Sequence, residues 1–314
     1  MTTTLLTGGR IFPALDETVI GDGAVVVEDD RIVWVGPAGD VPAALAASIA
    51  DADRIELDGK FVMPGMTESH IHLSYANAHP SQLDRQPVPT AMLDAVDNAE
   101  AVLRAGFTSA ISFGSAQGID VPLKRAIDSG RVPGPRLLAS EKDVGSTGSN
   151  ADSQAEGSDG RKRIADGPWA VRAAVSEIAK AGADVVKIFL DGEALSMHAA
   201  PGVLSFTDEE VDAACSEAHA RGMRVACHAR SAGAVKQAVR YGVDFVGHAN
   251  FLDDEAVELL AAARDRLVVG PGIAWEIQVL ERGHEIGLHR TLKEARGYQA
   301  EVDASVDAVK RLRE

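Results

Sequence analysis

The sequence predicts an α/β protein: a (β/α)8 TIM-type barrel, incomplete at about seven strands, preceded by a small β-rich domain. Three observations lead there. From Met66 onward, strand-like and helix-like segments alternate evenly. Gly106, Gly130, Gly182, Gly222 and Gly242 follow the helical segments and suit the left-handed stop position. Before Met66 the rhythm differs, with short alternating segments parted by turn signals such as Gly21-Asp22-Gly23 and Asp58-Gly59-Lys60.

The N-terminal segments Thr3–Leu6, Ala24–Glu28, Arg31–Val35 and Arg54–Asp58 read as small antiparallel strands. Residues 1–62 form this β-rich domain and residues 63–314 the barrel. Barrel strands are expected at Met66–Leu73, Phe107–Phe113, Arg136–Ala139, Asp184–Leu190, Arg224–Ala229, Asp244–His248 and Leu267–Val269. The intervening helices are Thr90–Arg104, Val121–Ser129, Trp169–Lys180, Thr207–Arg221, Ala232–Tyr241 and Asp253–Ala263. Thr207-Asp208-Glu209-Glu210 makes a capping box. Such even alternation favours a barrel over an open sheet. After Gly272 the chain reads as helix, Trp275–Arg282 and then Leu292–Arg313. The Gly-, Ser- and Asp-rich stretch from Glu141 to Pro168 reads as a long loop, a lid or an insertion.

With a net charge of −16 and no basic run, a nucleic-acid partner is not expected. The start carries no secretory pattern, and no segment approaches the ~20 apolar residues of a membrane span. Two cysteines, Cys215 and Cys227, make no disulfide framework. A cytoplasmic protein acting on a small-molecule substrate, without membrane or nucleic acid, is the expectation.

Four of the nine histidines fall at strand ends. His70 and His72 close the first barrel strand, two residues apart and hence on one face. His228 ends Arg224-Val225-Ala226-Cys227-His228, and His248 ends Asp244-Phe245-Val246-Gly247-His248. Chemistry on such barrels gathers at these ends. Lys187 lies within Val185-Val186-Lys187-Ile188-Phe189-Leu190, apolar on both faces. A lone ammonium there is costly to desolvate. It needs a carboxylate, loss of its proton or chemical alteration; Asp184 and Asp191 stand only at the strand's margins.

"PGMTESHIH", "GADVVKIFLDG", "RVACHAR" and "GVDFVGHANFLDDE" resemble segments of the amidohydrolase superfamily, in its imidazolonepropionase- and prolidase-like branch. The resemblance covers nearly the whole chain. It implies a metal-dependent hydrolase that cleaves an amide, urea, carbamate or dipeptide-like carbon–nitrogen bond with a hydroxide shared between two divalent metals. Zn suits the donor set most generally, with Co, Mn and Fe as alternatives. His70 and His72 would hold one metal, His228 and His248 the other, and Lys187, carboxylated, would bridge both.

Three positions depart from that pattern. Glu68 stands where the family has Asp, Gly247 where it often has an acid, and Arg230 where relatives often have Tyr. Arg230 reads either as a clamp for a substrate carboxylate or as a surface arginine. The family's eighth strand and its catalytic Asp would come after Glu314, so an incomplete barrel is expected. Its open strand edges imply association into a homo-oligomer. A metal-binding remnant without activity is the alternative to a working hydrolase.

Overall fold

The computed structural model describes residues 2–78, 80–83, 86–152, 162–196, 199–289, 294 and 297–313. His79, His198, part of the expected 141–168 loop and the start of the expected Leu292–Arg313 helix lie outside the described residues. The chain divides into two compact units, Met1–Met66 and Thr67–Glu314.

In the first unit, β1 (Thr3–Ile11), β2 (Ile20–Glu28) and β3 (Arg31–Pro37) form an antiparallel meander. The helix α1 (Ala46–Ala50) then carries the chain to β4 (Asp53–Glu56), and β5 (Phe61–Val62) follows. Both β4 and β5 pair with β1 in parallel, which corrects the antiparallel expectation. The α1 crossover supplies the longer connection a parallel pair needs. Leu5, Ala24 and Val26 make its core, with Trp34, Val41 and Ile49 packed on them.

The second unit holds all seven expected strands: β6 (Met66–Ile71), β7 (Phe107–Ser112), β8 (Arg136–Leu138), β11 (Val185–Phe189), β12 (Arg224–Ser231), β13 (Phe245–Phe251) and β14 (Val268–Gly270). Two more, β9 (Asp143–Gly145) and β10 (Lys162–Ile164), lie within the stretch read as a loop. Among the described residues the strands form two sheets, in the orders β6-β7-β8 and β10-β9-β11-β12-β13-β14. The backbone nitrogens of Asp184 and Val185 both donate to Ala139 O, so the end of β8 adjoins the start of β11. A β-carbon on Gly270 would lie 3.0 Å from Ser69 Oγ, so the end of β14 comes close to β6.

The helices are α2 (Pro80–Leu83), α3 (Val88–Arg104), α4 (Asp120–Asp128), α5 (Pro168–Ala181), α6 (Asp208–Ala220), α7 (Ala232–Tyr241), α8 (Asp254–Ala262), α9 (Ile273–Arg282) and α10 (Tyr298–Arg313). Thr207 caps α6 through the expected box: its Oγ1 accepts from Glu210 N at 3.3 Å, and Glu210 accepts from Thr207 N at 2.7 Å. None of the described helices is long and apolar enough to cross a membrane.

Strand alternation sorts the side chains into two cores. Val144, Val186, Ile188, Val225, Cys227 and Val246 join the large cluster formed with the helices. Ile111, Phe113, Val185 and Ala226, with Phe245 against them, form a small inner cluster. Lys187 stands between Val186 and Ile188 and therefore faces inward with Val185. It is 1% exposed.

Candidate metal centre

The histidines singled out from the sequence converge. The His70 ring centroid lies 5.3 Å from that of His72 and 4.7 Å from that of His248, and His228 lies 4.8 Å from His248. Lys187 Nζ stands 4.1 Å from the centre of the Phe189 ring and 5.2 Å from that of Phe113. Phe113 in turn stacks on His70 at 3.9 Å.

Each imidazole is held by its surroundings. His70 lies flat on Phe113, and its backbone nitrogen donates to Glu68 Oε1 at 3.2 Å. The Glu that replaces the family's Asp therefore braces the strand at the first histidine. His72 Nδ1 is 2.9 Å from Gly114 O. A carbonyl only accepts, so Nδ1 carries a proton, and in the neutral ring the lone pair is on Nε2. His228 Nε2 lies 3.3 Å from Gly192 O, which by the same reasoning leaves Nδ1 with the lone pair. Such backbone contacts fix tautomer and ring direction in metal-binding histidines.

Burial pushes the pKa of His70 well below the usual histidine range, reinforced by His72 and Lys187. Burial does the same to His248, reinforced by Arg230. Both rings are thus neutral, the form that binds metal. His70 Nδ1 and His248 Nδ1 are buried without a hydrogen-bond partner. Among the described residues no three His, Cys, Asp or Glu side chains are already gathered at ligating distances around one point. The unpartnered nitrogens and the donor set of four imidazoles and a lysine nevertheless fit a divalent cation.

The two readings of Arg230 meet a different environment. It is not a surface residue: it lies inside β12 and is 1% exposed. Its Nη1 stands 2.7 Å from Glu276 Oε1 and 2.5 Å from Glu301 Oε1, and its Nη2 3.0 Å from Glu193 Oε2. With three carboxylates on one guanidinium, Nη1 and Nη2 are both engaged within the chain. Asn250 and Ser305 extend the cluster through Glu276. Burial pushes the Glu301 carboxyl up to about 7, against the pull of Arg230.

Sequence reasoning missed Phe113, whose place beneath His70 depends on the packing of β7 on β6. It also missed the three acids on Arg230, which come from the segment after β11 and from α9 and α10. A buried arginine two residues after a candidate ligand was the one available signal.

A chain of parallel strands and crossover helices, with paired histidines at the end of β6, a buried lysine within β11, and two further histidines within β12 and β13, which run on to Ser231 and Phe251 and do not end at His228 and His248 as the sequence suggested, defines a class of protein. It belongs to the amidohydrolase family, whose model matches residues 61–298. A bacterial imidazolonepropionase-like composite domain matches residues 23–45. The chain is 26% identical to an ochratoxinase of Aspergillus niger over 279 residues, covering 82% of this chain and 56% of that protein. To an imidazolonepropionase of Acidiphilium cryptum it is 24% identical over 291 residues, 84% of this chain and 68% of the other. It thus spans little more than half the length of the first of these. A solved amidohydrolase superposes with a TM-score of 0.86 at 29% identity, covering 99% of this chain and 76% of that one. A prolidase complexed with N-methylphosphonate-L-proline superposes with a TM-score of 0.81 at 28% identity, covering 99% and 74%.

Proposed function

We propose that this chain carries the metal-binding part of a hydrolase that cleaves a carbon–nitrogen bond of a small amide or dipeptide-like substrate. The observation that carries this reading is the convergence of four imidazoles, with His70 Nδ1 and His248 Nδ1 buried and unpartnered, and inward-facing Lys187 beside the Phe113 on which His70 stacks. The similarity to an ochratoxinase, an imidazolonepropionase and a prolidase supports the bond type.

In this reading His70 and His72 would hold one divalent cation, His228 and His248 would hold a second, and Lys187, carboxylated, would serve as the ligand common to both. Zinc suits the nitrogen-rich set. Bound cations would supply Lewis-acid polarisation of the scissile carbonyl and a water acidified to near neutral pH. The chain's own groups do the rest. Neutral imidazoles offer lone pairs without a competing proton. Gly114 O and Gly192 O aim His72 and His228. Phe113 and Phe189 keep bulk water from Lys187, which strengthens every charge interaction there. The two sheets close around these residues as a TIM-type barrel, with residues 1–62 as a separate β-rich domain. The free, buried thiols Cys215 and Cys227 suit a reducing, cytoplasmic setting.

Elemental analysis and a hydrolysis panel of N-acyl amino acids, Xaa-Pro dipeptides and ureas test the proposal. Two equivalents of divalent metal, removed by chelation and restored by zinc, are expected, and any turnover should follow the metal. Metal-free protein that hydrolyses the panel unaffected by chelators would overturn it.

A further inference from the structure

The carboxylates nearest Lys187 in sequence are both committed elsewhere. Asp184 Oδ2 accepts from Ala139 N at 2.9 Å and stands 3.9 Å from Lys124. Asp191 accepts from the backbone nitrogens of Arg230 and Ser231, each at 2.8 Å, and of Gly202 at 3.2 Å. Asp143 stands on the neighbouring strand. It heads β9, the short strand hidden in the stretch read as a loop, and it is 3% exposed.

The register places it. Val144 pairs with Ile188 across the parallel β9–β11 contact. Both side chains belong to the outer apolar cluster. Alternation then turns Asp143 and Lys187 to the inner face, on strands about 4.8 Å apart. The carboxylate also fills the space over Gly114: a β-carbon there would lie 1.4 Å from Asp143 Oδ1. Gly114, at φ +113°, meets both demands of that position, which leaves no room for a side chain. Its carbonyl is the one that orients His72. Asp143 therefore stands between Lys187 and the backbone that aims His72. A carboxylate buried there is costly unless positive charge compensates it.

We propose that Asp143 is a further anionic residue of the metal-binding site, a positioning residue beside Lys187 whose charge helps the site hold its cations. The inference rests on the proposed function.

Cobalt(II) titration of the full chain, followed by visible absorption, tests it against Asp143→Asn and against Asp166→Asn, an exposed acid on the following loop. We expect Asp143→Asn to bind cobalt about tenfold or more weakly, the range seen when groups supporting metal ligands are removed, and to shift the ligand-field bands. Asp166→Asn should match the wild type. Equal affinity and identical bands in Asp143→Asn would overturn the inference and leave the metal-site reading standing. Failure of the wild type itself to bind cobalt would overturn both. Should Asp143→Asn not fold, a crystal structure of the zinc-loaded wild type decides: the Asp143 carboxylate should lie within about 3 Å of Lys187 Nζ, its adduct or an ion. A carboxylate turned away from all three overturns the inference.

Discussion

Gly247 faces the His70 ring so closely that a β-carbon on it would lie 2.6 Å from His70 Nδ1 and 3.1 Å from Phe113. The packing of His70 thus requires a glycine at this position. Any side chain on Gly247 competes with His70 for one space.

Gly247→Ala should therefore displace His70 and weaken metal binding by about tenfold or more, as when support for a metal ligand is lost. Overpacking should also cost about 1–3 kcal/mol of stability. Metal content by elemental analysis and unfolding in urea give the two values. A variant with wild-type metal content would show that His70 can move without leaving the site.

Arg230 carries a second expectation. Removing its charge by Arg230→Met leaves Glu193, Glu276 and Glu301 gathered without their cation. Breaking a buried pair from one side costs about 3–5 kcal/mol, and urea unfolding should register a loss of that size. Arg282→Met breaks an exposed pair with Glu285, where solvent screens the charges, and should leave the midpoint near that of the wild type. Similar midpoints for the two variants would mean that the carboxylates repack or protonate at little cost.

The sequence shows the frame more clearly than the contacts. Every barrel strand expected from alternation is present, because buried parallel strands are written as apolar runs bounded by turns. The histidines and Lys187 could be placed on these strands for the same reason, although His228 and His248 stand inside β12 and β13 and not at their ends. The strands β9 and β10 escaped notice because three residues carry no readable period, and Asp143 was lost with them. Arg230 was open to two readings because its partners come from distant segments: Glu276 lies 46 residues away along the chain. Such polar clusters are set by how α9 and α10 pack, and no local pattern announces them.

Glu301 gives the pH dependence its sign. Burial raises its carboxyl from the ordinary 4.5 to about 7 in the folded chain. Between those values the folded state holds a proton that the unfolded state has released. Its contribution to stability is therefore full below pH 4.5 and is lost as pH rises through about 7. Glu301→Gln removes the titration while keeping the shape. The wild-type melting midpoint should fall relative to that of Glu301→Gln as pH goes from about 5 to about 8, because only the wild type releases this proton. Parallel curves for the two proteins would show that Glu301 does not change its protonation over this range.

Lys187 and His219 separate the site from the rest of the molecule. Lys187 faces the inner cluster, beside Phe113 and Phe189. His219 sits on α6, where its Nε2 is hydrogen-bonded to Asp244 Oδ2 at 3.0 Å, on a different element from the strands that carry His228 and His248. In the proposed arrangement Lys187 touches both cations and His219 touches neither. Lys187→Ala should lose most bound metal, and added short-chain carboxylates should restore part of it by replacing the bridging oxygens. His219→Ala should keep its metal and lose only the stability of the Asp244 contact. Elemental analysis of the two variants, purified identically and matched by circular dichroism, checks this. Equal metal content would remove Lys187 from the centre and leave the imidazoles to hold the cations alone.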